Sequence, residues 1–218
     1  MLNRYLSESD FYLLSADVQQ AFRPGWEIVT IPNNTLLYKL TEYGAVDERK
    51  PFAPQSPWWS VVQPFKGIKH QDTYGAAGRL EEAELNNLTL LDMVRFASCV
   101  KFNWNKLSNY VEIELLDSAR AFWGQFSPME KIDKEVPFVF QAHHQSWPTL
   151  LGGLDEVFQL YIPNLHAFRR VNKPIGLTAT PLREVAGYRE VISISATDHK
   201  AIWQHLKKKN ATRVTRSI

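Results

Sequence analysis

The sequence predicts an α+β fold, with a mixed or antiparallel β-sheet core and flanking helices. Three observations predict it. Helical patterns lie early in the chain and strand patterns cluster later, without regular βαβ alternation. Tyr110 to Leu116 sets Val111, Ile113 and Leu115 against Glu112 and Glu114, the period of a half-buried strand. No glycine-rich Rossmann turn and no Walker loop occurs, so a doubly wound nucleotide fold lacks its usual signature.

The elements follow in order. Ser7 reads as an N-cap with Asp10 three residues on, and Leu6 and Phe11 are spaced as a hydrophobic staple. Phe11, Leu14, Val18 and Phe22 continue as a helical stripe, so one helix is expected over residues 7–23, ended by Pro24-Gly25. Strands are expected at 26–31, 35–41 and 58–62. Pro32-Asn33-Asn34 separates the first two, and a long loop rich in proline and charge precedes the third. Residues 76–85 are helical in pattern. Thr89 caps the next helix with Asp92 at N3, Leu88 and Met93 as its staple, and Met93, Phe96, Ala97 and Val100 on one face. Asp117-Ser118 turns the chain from the strand 110–116 into one over 119–126. Further strands are expected at 137–142, 157–162 and 190–194, with a short helix at 164–171. Ser195 or Thr197 caps a last helix through Leu206.

At 218 residues the chain reads as a single domain, 1–218, long enough to bury a sizeable core. Its 44% hydrophobic and 22% charged residues are those of a soluble globular protein. A net charge of +2 is too small to argue for a nucleic-acid or membrane partner. The basic C-terminal tail, 207–218, with Lys207, Lys208, Lys209, Arg213 and Arg216, reads as a solvated end, or else as a contact to phosphate or an acidic partner. Cys99 is the single cysteine, so no intramolecular disulfide forms and no cysteine zinc site can be assembled. It falls in a helical apolar run and is expected to be buried and inert. The N-terminus lacks an apolar signal core and no apolar run approaches ~20 residues, so the protein is expected to fold in the cytoplasm.

Several residues have chemistry to weigh. Glu112 and Glu114 share one strand face, as paired acid–base carboxylates would, but that pattern is also the wet face of a half-buried sheet. His143-His144 point apart on an extended chain and make a poor chelate, though either imidazole has a general base's chemistry. No metal site is predicted. Seven tryptophans are scattered, mostly as packing; in Trp58-Trp59, adjacent on a strand, one ring can fill the core while the other faces a cleft.

Three further segments stand in chain order: Tyr38-Lys39 in a strand, Ser56-Pro57-Trp58-Trp59-Ser60 opening another, and the run from Gly152-Gly153 through Asp155, Glu156 and Gln159 to Pro163. This order resembles that of bacterial ADP-ribosyltransferase toxins and effectors over residues 35–165, with Asn103-Trp104-Asn105 and the strand after it falling in the middle. The resemblance implies an ADP-ribosyltransferase-like fold and NAD as substrate. It implies a cofactor pocket of Tyr38, Lys39, Ser56, Trp58, Trp59 and Ser60, with Glu156 and Gln159 as the catalytic pair. Breaking the nicotinamide–ribose bond creates an oxocarbenium-like centre, which a carboxylate stabilises, and an aromatic face stacks on the nicotinamide. Two departures are visible. Lys39 stands where an arginine is expected and offers a point charge in place of a planar fork. Gln159 stands where the catalytic glutamate is expected, and Glu156, three residues earlier, faces the opposite way on a regular strand unless a bulge follows the glycine pair. Glu112 or Glu114 is the alternative acid.

The resemblance further implies a macromolecular acceptor, or water, for the ADP-ribose, a cognate immunity protein, and export without an N-terminal signal into a target cell. The other readings are a non-catalytic binding module with an aromatic groove at Trp58-Trp59, and a nuclease toxin using His143 or His144 with the basic tail.

Overall fold

The computed structural model describes residues 1–42, 57–65, 68, 75–130, 150–152, 157–163, 165 and 188–214, with the side chains of Glu190 and of residues 209–214 outside that description. The expected strand 137–142, the expected helix 164–171 and the loop before Pro57 lie outside the described residues, apart from Leu165 and Glu42.

The described chain is α+β. Among the described residues nine strands form, in order, β1 (Glu27–Ile31), β2 (Leu36–Thr41), β3 (Trp58–Val61), β4 (Asn109–Leu115), β5 (Ala119–Gln125), β6 (Met129–Glu130), β7 (Leu150–Leu151), β8 (Phe158–Tyr161) and β9 (Tyr188–Ser195). Seven of them make one sheet in the order β1-β5-β8-β3-β2-β4-β9, and β6 pairs with β7. Every strand pairing in both is antiparallel. Antiparallel neighbours need no crossover helix, which agrees with the missing βαβ alternation.

Alternation along the strands builds two layers. Val29, Leu37, Trp59, Val61, Val111, Ile113, Trp123 and Leu160 are buried together in one cluster. On the other side of β2 and β4, Tyr38, Leu40 and Tyr110 pack with Leu80, Leu90, Ile202 and Leu206. Those four come from the helices α3 (Ala76–Leu85), α4 (Leu90–Ala97) and α5 (His199–Val214). A third cluster, Leu6, Phe11, Phe22 and Phe122, covers the β5–β8–β3 part with Trp58 and Tyr161 at its border.

The opening segment departs from the expected single helix. The Ser7–Asp10 capping box forms, but the chain makes two short helices, α1 (Glu8–Phe11) and α2 (Ala16–Gln20). Ser15 is extended and caps α2, and the Gln19 amide donates to the Leu14 carbonyl at 2.8 Å and to the Tyr12 carbonyl at 3.3 Å. A serine that favours capping geometry and a glutamine that takes up the freed carbonyls make the break affordable. Phe11 and Phe22 still reach one cluster, with Leu14 and Val18 packed against it, because each helix presents one side inward.

The last helix also differs. Asp198, not Ser195 or Thr197, is its cap: the Asp198 Oδ1 accepts from the Ala201 N–H at 2.9 Å and its carbonyl accepts from Ile202. The helix runs past Leu206 to Val214, so residues 207–214 of the expected basic tail continue α5. The expected Thr89 box is present, with Asp92 N–H donating to Thr89 Oγ1 at 3.1 Å.

Candidate functional site

The position of the site follows from the strand register. β2 and β3 pair at Leu37–Val61 and Tyr38–Ser60, and the ladder ends there. Beyond it Lys39, Leu40 and Thr41 stay paired with β4, while Trp58 and Trp59 stay paired with β8. The two central strands therefore fork. A cavity of about 310 Å³ opens at the fork, within the range of small-molecule sites. Because no ladder closes the fork, side chains from both sheet faces reach it. Tyr38, Trp58 and Ser60 belong to the helix-covered face, and Lys39 and Trp59 to the other.

Tyr38, Lys39, Trp58, Trp59, Ser60 and Gln159 all line this cavity. Ser56 and Glu156 lie outside the described residues. Gln159 is buried, and its amide donates to the Ala21 carbonyl at 2.7 Å, fastening β8 to the end of α2. The Lys39 amine stands 4.1 Å from the centre of the Trp59 ring. Lys39 is half-buried at the wall, and desolvation lowers its pKa from the usual lysine range to about 7. Trp58 makes an edge contact with Tyr161, at 4.7 Å between centroids, and packs on Phe22, whereas Trp59 is buried in the core. Both tryptophans thus contribute to core and cavity together.

Other elements complete the wall. Asp17 and Val18 come from α2, and Val94, Ser98 and Cys99 from the end of α4. Loop 100–107 supplies Trp104, which is half exposed, and Asn105. Arg95 shapes that loop. Its guanidinium is buried and donates to the carbonyls of Val100, Lys101 and Asn105 at 3.0, 3.0 and 2.8 Å, with Phe102 against it at 4.4 Å. Burial disfavours the Arg95 charge, and Asp92 partly offsets this. The planar fork suits three carbonyls of one loop, which a lysine could not span. Asn105 Oδ1 accepts from the backbone N–H of Glu42 and of Leu107, at 2.9 and 2.8 Å, tying the loop to the end of β2.

Cys99 ends α4 and is not inside it. It sits at φ 52°, and Cys99 and Val100 donate back to Phe96 and Arg95 in the pattern of a left-handed helix stop. The thiol is buried, donates to the Ser127 carbonyl at 3.3 Å, and is pushed up to about 12 chiefly by desolvation. Gly152, the first of the glycine pair, has φ 77°, and a Cβ there would lie 2.2 Å from Cys99 Sγ. Its glycine serves close packing on α4.

The carboxylates of β4 are elsewhere. Glu112 is fully buried, correcting its reading as a wet-face residue: α5 covers this face. Tyr110 Oη donates to Glu112 Oε2 at 3.0 Å, and His205 Nε2 lies 2.9 Å from the same oxygen. Tyr38 stacks on Tyr110 between this cluster and the cavity, at 5.5 Å and 19°. Glu114 accepts from Arg189 Nε at 2.8 Å on the neighbouring strand β9. Neither glutamate lines the cavity. No sequence signal marked His205 as the partner of Glu112; the contact joins residues 93 apart.

His143 and His144 lie outside the described residues. Among the described residues no three His, Cys, Asp or Glu side chains are grouped to hold a metal ion, and no helix is long and apolar enough to cross a membrane. No protein-family description, curated protein or solved structure matches this chain.

Proposed function

We propose that the fork cavity binds NAD and that the protein is an ADP-ribosyltransferase-like toxin or effector domain, which breaks the nicotinamide–ribose bond and passes ADP-ribose to a macromolecule or to water. The observation that carries this reading is the convergence of Tyr38, Lys39, Trp58, Trp59, Ser60 and Gln159, from three strands, on one cavity. The tryptophan faces offer a stacking surface for nicotinamide. Lys39, when protonated, offers a cation for a phosphate oxygen, and an incoming anion favours that protonated form. Gln159 already holds the Ala21 carbonyl, so its amide nitrogen acts as an anchor of the wall. Glu156, three residues before Gln159, is the proposed acid; Asp17 is the carboxylate among the described lining residues. Glu112 and Glu114 are set aside as acids because they lie off the cavity.

The test is release of nicotinamide from NAD by purified protein, followed chromatographically, with Glu156→Ala, Gln159→Ala and Asp17→Asn. Turnover abolished by Glu156→Ala supports the reading. Turnover undiminished in all three variants removes the proposed machinery.

A second reading, a non-catalytic binding module, is favoured by the chemistry of the lining. Among the described lining residues only Asp17 and Lys39 are charged, beside three tryptophans. It predicts saturable quenching of tryptophan fluorescence by an aromatic ligand with no consumption of NAD.

A further inference from the structure

We propose that the Lys39 amine forms a reversible imine with apolar, ring-bearing aldehydes that enter the fork cavity. Three features of the site carry this. First, Lys39 and the Trp59 ring beneath its amine both line the cavity, so the nitrogen and a flat apolar surface face one space. Second, Leu40, Val94, Leu107, Phe126 and Met129 line the same cavity and offer apolar surface to a ring. Third, Lys39 emerges where β2 stops pairing with β3, so an aldehyde carbonyl has an approach to the amine between the strands.

The chemistry balances without a further reactant. The nitrogen lone pair attacks the carbonyl carbon, and a proton passes from nitrogen to the oxygen, giving a carbinolamine. The hydroxyl then leaves with a proton as water, and the C=N bond forms. An amine reacts in this way only when unprotonated, and desolvation holds a substantial neutral fraction of Lys39 at neutral pH. The protonated imine places its positive charge over the Trp59 face, which offers it a partner surface.

This inference stands independently of NAD cleavage, and its test separates the two. Intact protein is incubated with benzaldehyde and cyanoborohydride, which reduces the imine to a stable benzylamine. Adducts are mapped by peptide mass spectrometry between pH 6 and pH 9, with Lys39→Arg as the control and glyceraldehyde as a polar comparator. At pH 7 the initial benzylation rate at Lys39 should exceed that at the exposed Lys106 and Lys200 by at least about tenfold, the advantage expected of an amine not held protonated as an ordinary lysine is. The preference should shrink with glyceraldehyde and disappear in the Lys39→Arg protein. Benzylation spread evenly over exposed lysines, or a protein that labels without Lys39 among its sites, overturns the inference. Adding NAD provides the separating arm: protection of Lys39 supports occupancy of the same cavity, and benzylation of Lys39 unaffected by NAD leaves the imine site standing while counting against NAD.

Discussion

The Lys39 amine sits 4.1 Å from the centre of the Trp59 ring, just beyond the last rung between β2 and β3. The ring gives the cation a partner face, but burial weighs more and leaves the lysine with a pKa of about 7. An unfolded lysine titrates near ~10.4. The folded protein therefore binds fewer protons than the unfolded chain between those values. The resulting destabilisation is complete below about pH 7 and fades as pH rises toward that of a free lysine. Lys39→Met should raise the melting temperature at pH 6 and give little advantage at pH 10. Equal effects at both pH values would show that the amine is not desolvated.

Trp104 stands half exposed at the cavity, on a loop anchored from behind. Trp104→Ala should leave stability almost unchanged. It should weaken binding of an aromatic ligand about tenfold, the scale of one stacking contact of about 1.4 kcal/mol. Titration by tryptophan fluorescence or calorimetry checks this, and unchanged affinity would place the ligand away from the loop.

Arg95 gathers three carbonyls of that loop with one buried guanidinium. Arg95→Leu should cost about 2–3 kcal/mol in urea unfolding, because buried carbonyls lose their donors. Arg95→Lys should recover only part of it, since a single ammonium cannot match the planar fork. Full recovery by lysine would mean that charge alone matters.

His205 and Glu112 meet at 2.9 Å beneath α5, with Glu112 fully buried. His205→Ala should destabilise by about 3 kcal/mol, the cost of stripping a partner from a buried carboxylate. Glu112→Gln in the same background should restore part of the loss, because it removes the buried charge. Additive losses in the double variant would show that the two residues do not act as a pair.

Gly152 packs where a Cβ would meet Cys99 Sγ. Gly152→Ala should destabilise by about 2 kcal/mol, combining overpacking with its positive φ. Adding Cys99→Ala should relieve the collision and leave the backbone strain. No relief would separate the glycine requirement from the thiol. In the unmodified protein, iodoacetamide at pH 8 should label Cys99 only as fast as the chain opens, since the thiol is held far above that pH.

Local signals were legible where they act within a few residues. The Ser7 and Thr89 capping boxes and the helix Ala76–Leu85 are set by neighbours three or four positions apart, whereas the last strand runs from Tyr188 to Ser195 rather than over 190–194, and the short pair β6–β7 carried no local pattern. The segments holding Tyr38-Lys39 and Trp58-Trp59-Ser60 could be picked as strands with unusual polar and aromatic content. The length of the first helix is not legible in this way, because a continuous apolar stripe reads the same whether one helix or two present it. The chain breaks at the extended Ser15, and the Gln19 amide takes up the Leu14 carbonyl there.

The sequence by itself determined the α+β class, with the sheet left as mixed or antiparallel, and which short segments carry polar and aromatic side chains together, because hydrophobic period and capping are local properties of the chain. Only the tertiary structure decided that β2 and β3 part beyond Tyr38 and Ser60, that Gln159 grips Ala21, and that α5 seals Glu112 against His205. Those outcomes join residues far apart in the chain, 138 positions for Gln159 and Ala21 and 93 for Glu112 and His205, and a residue's own pattern cannot specify which distant surface will cover it: alternation told that Glu112 faces away from Val111, and packing alone determined what it faces.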